Sequence, residues 1–167
     1  VGALISGAGC GGGAEPSASH ATTELFSKPF DLDPCIAISK ADLSKLNLEV
    51  SAPNEFRDVF NEYNLKFKGC LMAYGPGRSE KFHLESVNFT LQYFKSWVEG
   101  VQQQEMRELE VAGRAAVLES DSKYPGQCIL AVEMTDYRLL LDGVYSSGSC
   151  DYPVKLAGEL VPLLAAK

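Results

Sequence analysis

The chain of 167 residues is long enough for one domain and a tail, and 46% hydrophobic residues supply an ordinary core. A net charge of −7 with scattered basic residues argues against a nucleic-acid partner, since phosphate binding takes clustered Lys and Arg. It equally makes an anionic membrane surface a poor electrostatic target.

Residues 1–9 read V-G-A-L-I-S-G-A-G and have the character of the end of an apolar signal segment, with Gly7, Ala8 and Gly9 running into Cys10. Bacterial lipoprotein signals end in this way, although they prefer Leu three positions before the cysteine, where Gly7 stands. Gly11 to Thr23 is small and polar, which predicts a flexible tether over residues 10–25. Cys10 is the odd one of five cysteines, and thioether acylation accounts for it, making it the expected lipid anchor. No other segment is long enough to span a bilayer.

Residues 26–167 are expected to form a single disulfide-stabilised α+β domain. Phe30 to Cys35, F-D-L-D-P-C, leads into a short helix around residues 40 to 46, whose Ser39-Lys40-Ala41-Asp42 has the form of a capping box. Asp31 and Asp33 lack the Gly turn and further oxygens of a calcium loop and are expected to be solvated loop acids. Asn47 to Lys66 is mixed, with Asn54 to Phe60 suited to a turn of helix.

Leu65 to Tyr74 alternates around Cys70 as a strand does. Tyr74-Gly75-Pro76-Gly77-Arg78 is a loop, without the spacing or the Lys-Ser/Thr of a phosphate-binding one. Lys81 to Phe94 opens as a strand whose apolar residues change face, which suggests a bulge or break near Ser86. His83 is the only histidine outside the tether, and one histidine without Cys/His spacing makes no zinc site, so no metal and no cofactor are expected.

A helix is predicted over 91 to 100, where Tyr93, Phe94, Trp97 and Val98 form an aromatic cluster suited to a core or to a ligand pocket. Met106 to Val111 and Arg114 to Glu119 read as strands joined by Ala112-Gly113. Cys128 to Met134 and Tyr137 to Tyr145 read as a hairpin around Thr135-Asp136, of uncertain register. From Asp151, an expected N-cap, Val154, Ala157, Leu160, Val161 and Leu164 recur on one helix face over 151 to 164. Pro153 fits the first turn, and Pro162 is expected to kink or end the helix. A disulfide from Cys128 to Cys150 would close a loop of 22 residues, worth roughly 3 kcal/mol by chain entropy. The elements together predict a twisted, mostly antiparallel sheet of about five strands with the helices packed on one side.

The chain resembles a family of actinobacterial cell-envelope lipoproteins, found in mycobacteria, corynebacteria and their relatives, whose function is unknown. The resemblance lies in D-P-C at Asp33 to Cys35 with the following A-D-L, in K-G-C at Cys70 and in G-R-A-A-V-L at Gly113 to Leu118. It continues through C-I-L-A-V-E from Cys128 and C-D-Y-P from Cys150, before a final helix with V-P-L-L. It covers most of the chain after Phe30. Tyr152-Pro153 departs from the small helix formers that relatives often carry there. The resemblance implies two disulfides, most simply Cys35 with Cys70 and Cys128 with Cys150, among three possible pairings.

No catalytic constellation emerges. A Ser-His-Asp set would have to recruit His83 without a Gly-x-Ser-x-Gly elbow, and four cysteines are better used in disulfides than as nucleophiles. Glu133 with Asp136, or Asp136 with Asp142, are acid/base pairs in principle only. The expectation is a non-enzymatic lipoprotein on the outer face of the cell membrane, binding an envelope lipid, glycan or protein. An alternative is an extracytoplasmic sensor or accessory subunit of a transporter or kinase, and a hydrolase is the least favoured reading.

Overall fold

The computed structural model describes residues 31–52, 65–100 and 104–166. Cys10, the tether and the expected helical turn at Asn54 to Phe60 lie outside the described residues.

Two short helices open the described chain, α1 (Pro34–Ala37) and α2 (Lys40–Lys45). Asp33 caps the first by accepting the Cys35 N–H, and Ser39 caps the second by accepting the Asp42 N–H at 3.1 Å, as the capping-box reading requires. There follow β1 (Glu49–Ala52), β2 (Phe67–Tyr74), β3 (Glu80–Val87), α3 (Leu91–Glu99), β4 (Gln104–Val111), β5 (Arg114–Asp121), β6 (Gln127–Glu133), β7 (Arg138–Val144) and α4 (Asp151–Ala165). The seven strands form one open antiparallel sheet in the order β1-β2-β3-β7-β6-β5-β4. The α+β class thus holds, with more strands than the five expected. The unforeseen strand β1 is four residues long, half-exposed and irregular in its pairing, which leaves little sequence signal.

Register explains the core. Cys70, Leu84, Leu141, Leu130 and Leu118 lie opposite one another across five neighbouring strands, making a continuous apolar row on one face. On that face α4 lays down Leu156, Ala157, Leu160, Val161 and Leu164, and the α1–α2 segment adds Ile38 and Leu43. The same strands are also apolar on the reverse face at Val117, Ala131 and Leu140, and there α3 packs with Leu91, Phe94 and Val98. The helices therefore cover both faces, not one. A sheet whose central strands are apolar on both sides needs two covers. The aromatic cluster of α3 is core, with Phe94 stacked on Phe89 at 5.5 Å, although Trp97 remains 45% exposed.

Three local expectations are corrected. β3 pairs regularly through Ser86 with both neighbours, so no bulge stands there, and the strand ends one residue later at Val87. The polar residue that broke the pattern is buried because its hydroxyl donates to the Leu32 carbonyl at 2.5 Å, with the Lys68 carbonyl as a second acceptor within reach at 3.2 Å. α4 runs past Pro162 to Ala165. Pro162 is exposed and three residues from the end, so its ring costs one late hydrogen bond on the solvent side. The N-cap of α4 is Cys150 instead of Asp151, whose N–H is taken by the Ser149 hydroxyl. Asp151 falls in the first turn, where a carboxylate favours the helix dipole.

The β6–β7 hairpin forms in the register Glu133↔Arg138, with Met134 N–H donating to the Tyr137 carbonyl across a four-residue loop. Arg138 is buried and closes this loop, donating to the Tyr137 carbonyl at 2.8 Å and pairing with Glu133 at 3.1 Å. In the β4–β5 hairpin Ala112 and Gly113 take φ of 49° and 77°, the two left-handed residues that a tight primed turn demands. Both disulfides form as the resemblance implied. Cys35–Cys70 ties α1 to β2, and Cys128–Cys150 ties the start of β6 to the mouth of α4, with Cα separations of 6.2 and 5.8 Å.

Candidate functional site

At the end of the sheet where β2 stops and β3 begins, three tyrosines from separate elements meet. Tyr74 ends β2, Tyr145 follows β7 and Tyr152 lies in the first turn of α4. Tyr74 and Tyr152 stack with centroids 4.7 Å apart at 16°, and Tyr145 leans on both at 6.0 and 5.7 Å. Phe82 supports the group from β3, 5.6 Å from Tyr74. Gly143 makes room for Phe82, since a Cβ there would come within 2.7 Å of the Phe82 Cβ. Tyr145 is fixed by its backbone. Its N–H donates to the Gly126 carbonyl at 2.8 Å, and Gly126 has φ of 87° with no space for a side chain against the Tyr145 carbonyl.

Beside these rings opens a cleft of about 350 Å³, closed on the other side by Leu46 and Asn47 from the α2–β1 connection and rimmed by Gly75, Glu80, Ser146 and Ser147. The Glu80 carboxylate accepts the Ser146 N–H at 3.2 Å. The Ser146 donors first, and the nearby Tyr74 hydroxyl second, hold its carboxyl below the usual range, so it is ionised. Burial raises all three phenols above their ordinary value, helped at Tyr74 and Tyr152 by the Glu80 charge and at Tyr145 by Tyr74 and Asp142. They are neutral O–H donors at any physiological pH. The Tyr145 hydroxyl is buried with no hydrogen-bond partner, and the Tyr74 hydroxyl, turned towards Glu80, does not complete one in good geometry. Buried hydroxyls of this kind are uncommon and ask for an explanation.

A second, larger hollow of about 500 Å³ lies on the far side of the α2–β1 connection, with Ile36, Leu43, Leu48 and Val50 between Lys40 and Arg78. Ile36 is 76% exposed there, and Arg78 is engaged by Glu49.

The sequence candidates fall elsewhere. Asp33 caps α1, and Asp31 contacts Lys68. Glu133 serves Arg138, and Asp136 sits exposed in the hairpin loop, so neither proposed carboxylate pair is assembled for acid/base work. His83 lies opposite Asp142 across β3 and β7, with Glu85 at 4.0 Å, on the face that α3 covers. Among the described residues no group of three or more His, Cys, Asp or Glu is arranged to hold a metal ion.

Sequence reading missed Glu119. It is 2% exposed on β5, and burial, with Asp142 and Asp121 nearby, raises its carboxyl to about 7. The available signal was an acid ending the apolar run Ala115 to Leu118. The tyrosine cleft was also missed. Its three rings end three separate runs, and nothing local says that those ends converge.

No protein-family model, curated protein or solved structure matches the chain.

Proposed function

We propose that this protein is an exported lipoprotein, held at the outer face of the cell membrane through a lipid on Cys10, whose domain binds an envelope component without turning it over. The observation that carries the reading is the tyrosine cleft, a preformed hollow of about 350 Å³ walled by Tyr74, Tyr145 and Tyr152 and rimmed by Gly75, Glu80, Ser146 and Ser147. The chemistry there suits binding. Among the described residues Glu80 is the one carboxylate on the rim, and its pKa is pushed away from the near-neutral value that a general base works best with. The two disulfides support an oxidising compartment. The small, polar run from Gly11 to Thr23 supports a tethered domain.

The test is native mass spectrometry of the full-length protein extracted from its own membrane, with and without reduction. A diacyl or triacyl increment on Cys10 together with a co-purifying lipid, glycan or protein is the expected result. An unmodified chain carrying no bound mass overturns the reading.

A further inference from the structure

We propose that a proton on the Glu119 carboxyl holds α3 on its face of the sheet, and that loss of this proton favours release of the helix while the rest of the fold stays closed. This goes beyond the binding reading above and makes the α3 face a conformational device.

Glu119 shares a face of β5 with Val117, on which α3 packs, and it is 2% exposed opposite Met106 of β4. Acids predominate around it. Asp121 follows on β5, Asp142 lies across Ile129 on β7, and Glu85 and Glu108 stand in the adjoining row on β3 and β4. The cations of this face are placed elsewhere. His83 lies beside Asp142 with Glu85 at 4.0 Å, Lys81 is two residues further along β3, and Lys95 of α3 is engaged by Glu108 at 2.7 Å. Glu99 ends α3 exposed. Among the described residues no ion pair reaches Glu119 itself.

Donors are short as well. Gln104, diagonal to Glu119 on β4, brings its amide to the carboxyl. The Glu119 Oε2 and the Gln104 Oε1 are nevertheless both buried without a hydrogen-bond partner. An ionised carboxylate only accepts, whereas a protonated one adds the donor that these buried acceptors lack. It also carries no charge to desolvate or to repel Asp142 and Asp121. Burial first, and then those two acids, accordingly raise the carboxyl to about 7.

The helices are fastened unequally. On the opposite face Cys35–Cys70 ties α1 to β2, and Cys128–Cys150 ties the mouth of α4 to β6. α3 is nine residues long, contains no cysteine and is the one described helix over Val117, Ala131 and Leu140. Lifting it brings water to Glu119 and leaves the disulfide-tied face in place.

The experiment is hydrogen exchange of the full chain at pH 6 and pH 8, with rates corrected for the pH dependence of free amides. A carboxyl that moves from about 7 to its ordinary 4.5 on opening raises the open population about tenfold over this interval. The α3 amides should exchange faster than those of α4 and ignore urea below the unfolding range, the signature of a local opening. Their protection should fall about tenfold from pH 6 to pH 8, and Glu119→Gln should remove the fall. Equal protection and equal urea response in α3 and α4 overturn the proposal, since the helix would then leave only with the whole fold. A fall that is absent, or that persists in Glu119→Gln, overturns it too. Should that variant not fold, carboxyl-carbon NMR of the unaltered protein decides. A Glu119 midpoint near 7, with the Phe94 and Val98 amides following the same curve, supports the latch, and a midpoint near 4.5 overturns it.

Discussion

Glu119 is a carboxyl that the chain buries without fully pairing: its Oε2 has no hydrogen-bond partner. Its folded-state value of about 7 stands above the ordinary 4.5, chiefly through desolvation and then through Asp142 and Asp121. A raised acid favours the folded state in its neutral form, so its contribution is intact below about pH 4.5 and is lost as pH climbs through about 7. Replacing Glu119 with Gln should remove that slope. Urea unfolding at several pH values should show the two proteins diverging across this window, the variant becoming more stable above pH 7 by up to about 3 kcal/mol. Parallel curves would mean that the carboxylate is solvated after all. Ser86 is the opposite case, a buried polar group whose one proton has an acceptor, the Leu32 carbonyl, with the Lys68 carbonyl also in reach. Ser86→Ala should cost about 1–3 kcal/mol in the same assay, because it strands acceptors in the interior. The sequence alone marked Ser86 as an interruption and read it as a bulge or break. A residue letter shows polarity but not the partner that makes it tolerable, and the Leu32 carbonyl is 54 positions away.

Among the elements, those with local punctuation were legible. α2 has Ser39 with Asp42 behind it, and α4 has an acid and a proline in its first turn. The two C-terminal hairpins could be read from turn residues and apolar runs, and the four cysteines fell on the elements that the resemblance implied. What periodicity cannot convey is which face of the sheet a helix chooses. An amphipathic helix announces only that one side will be covered, and α3 differs from α4 in this respect through tertiary contacts alone. The hint was in the strands, where Val117 beside Leu118 and Leu139 beside Leu140 are buried as neighbours and therefore on opposite faces. α3 is the one described helix on its face, and Phe94 is its most central ring. Phe94→Ala should therefore cost about 3–5 kcal/mol in thermal or urea unfolding, more than a surface change at Gln92. Converting both Cys128 and Cys150 to Ser should cost roughly 3 kcal/mol, consistent with the 22-residue separation that they close.

At the scale of the whole molecule, β1 and β4 are the outer strands, and the two edges are guarded differently. β1 is short and irregular, while β4 is eight residues long and carries Glu105, Arg107, Glu108 and Glu110, charges that discourage pairing with another chain. Hydrogen exchange should rank the sheet from the centre outwards. The amides of β7 and β6 should be the slowest and those of β1 and the outer side of β4 the fastest, and a uniform profile would contradict the layered core. Topology also explains why the tyrosine cleft was hidden from the sequence. Its rings come from positions 74, 145 and 152, which become neighbours only after β7 has docked beside β3.

That seam between β3 and β7 joins two stretches that are far apart in the chain, and neither disulfide crosses it. Cys35 and Cys70 belong wholly to the part that leads up to β3, and Cys128 and Cys150 wholly to the part that ends in α4. The two bonds join consecutive cysteines, Cys35 to Cys70 and Cys128 to Cys150, so a chain threaded outwards from its amino end would complete the first pair before Cys128 emerged. Oxidation in order of emergence then gives the native pairing only if Cys10, which emerges before them all, is withheld, as the proposed acylation would do.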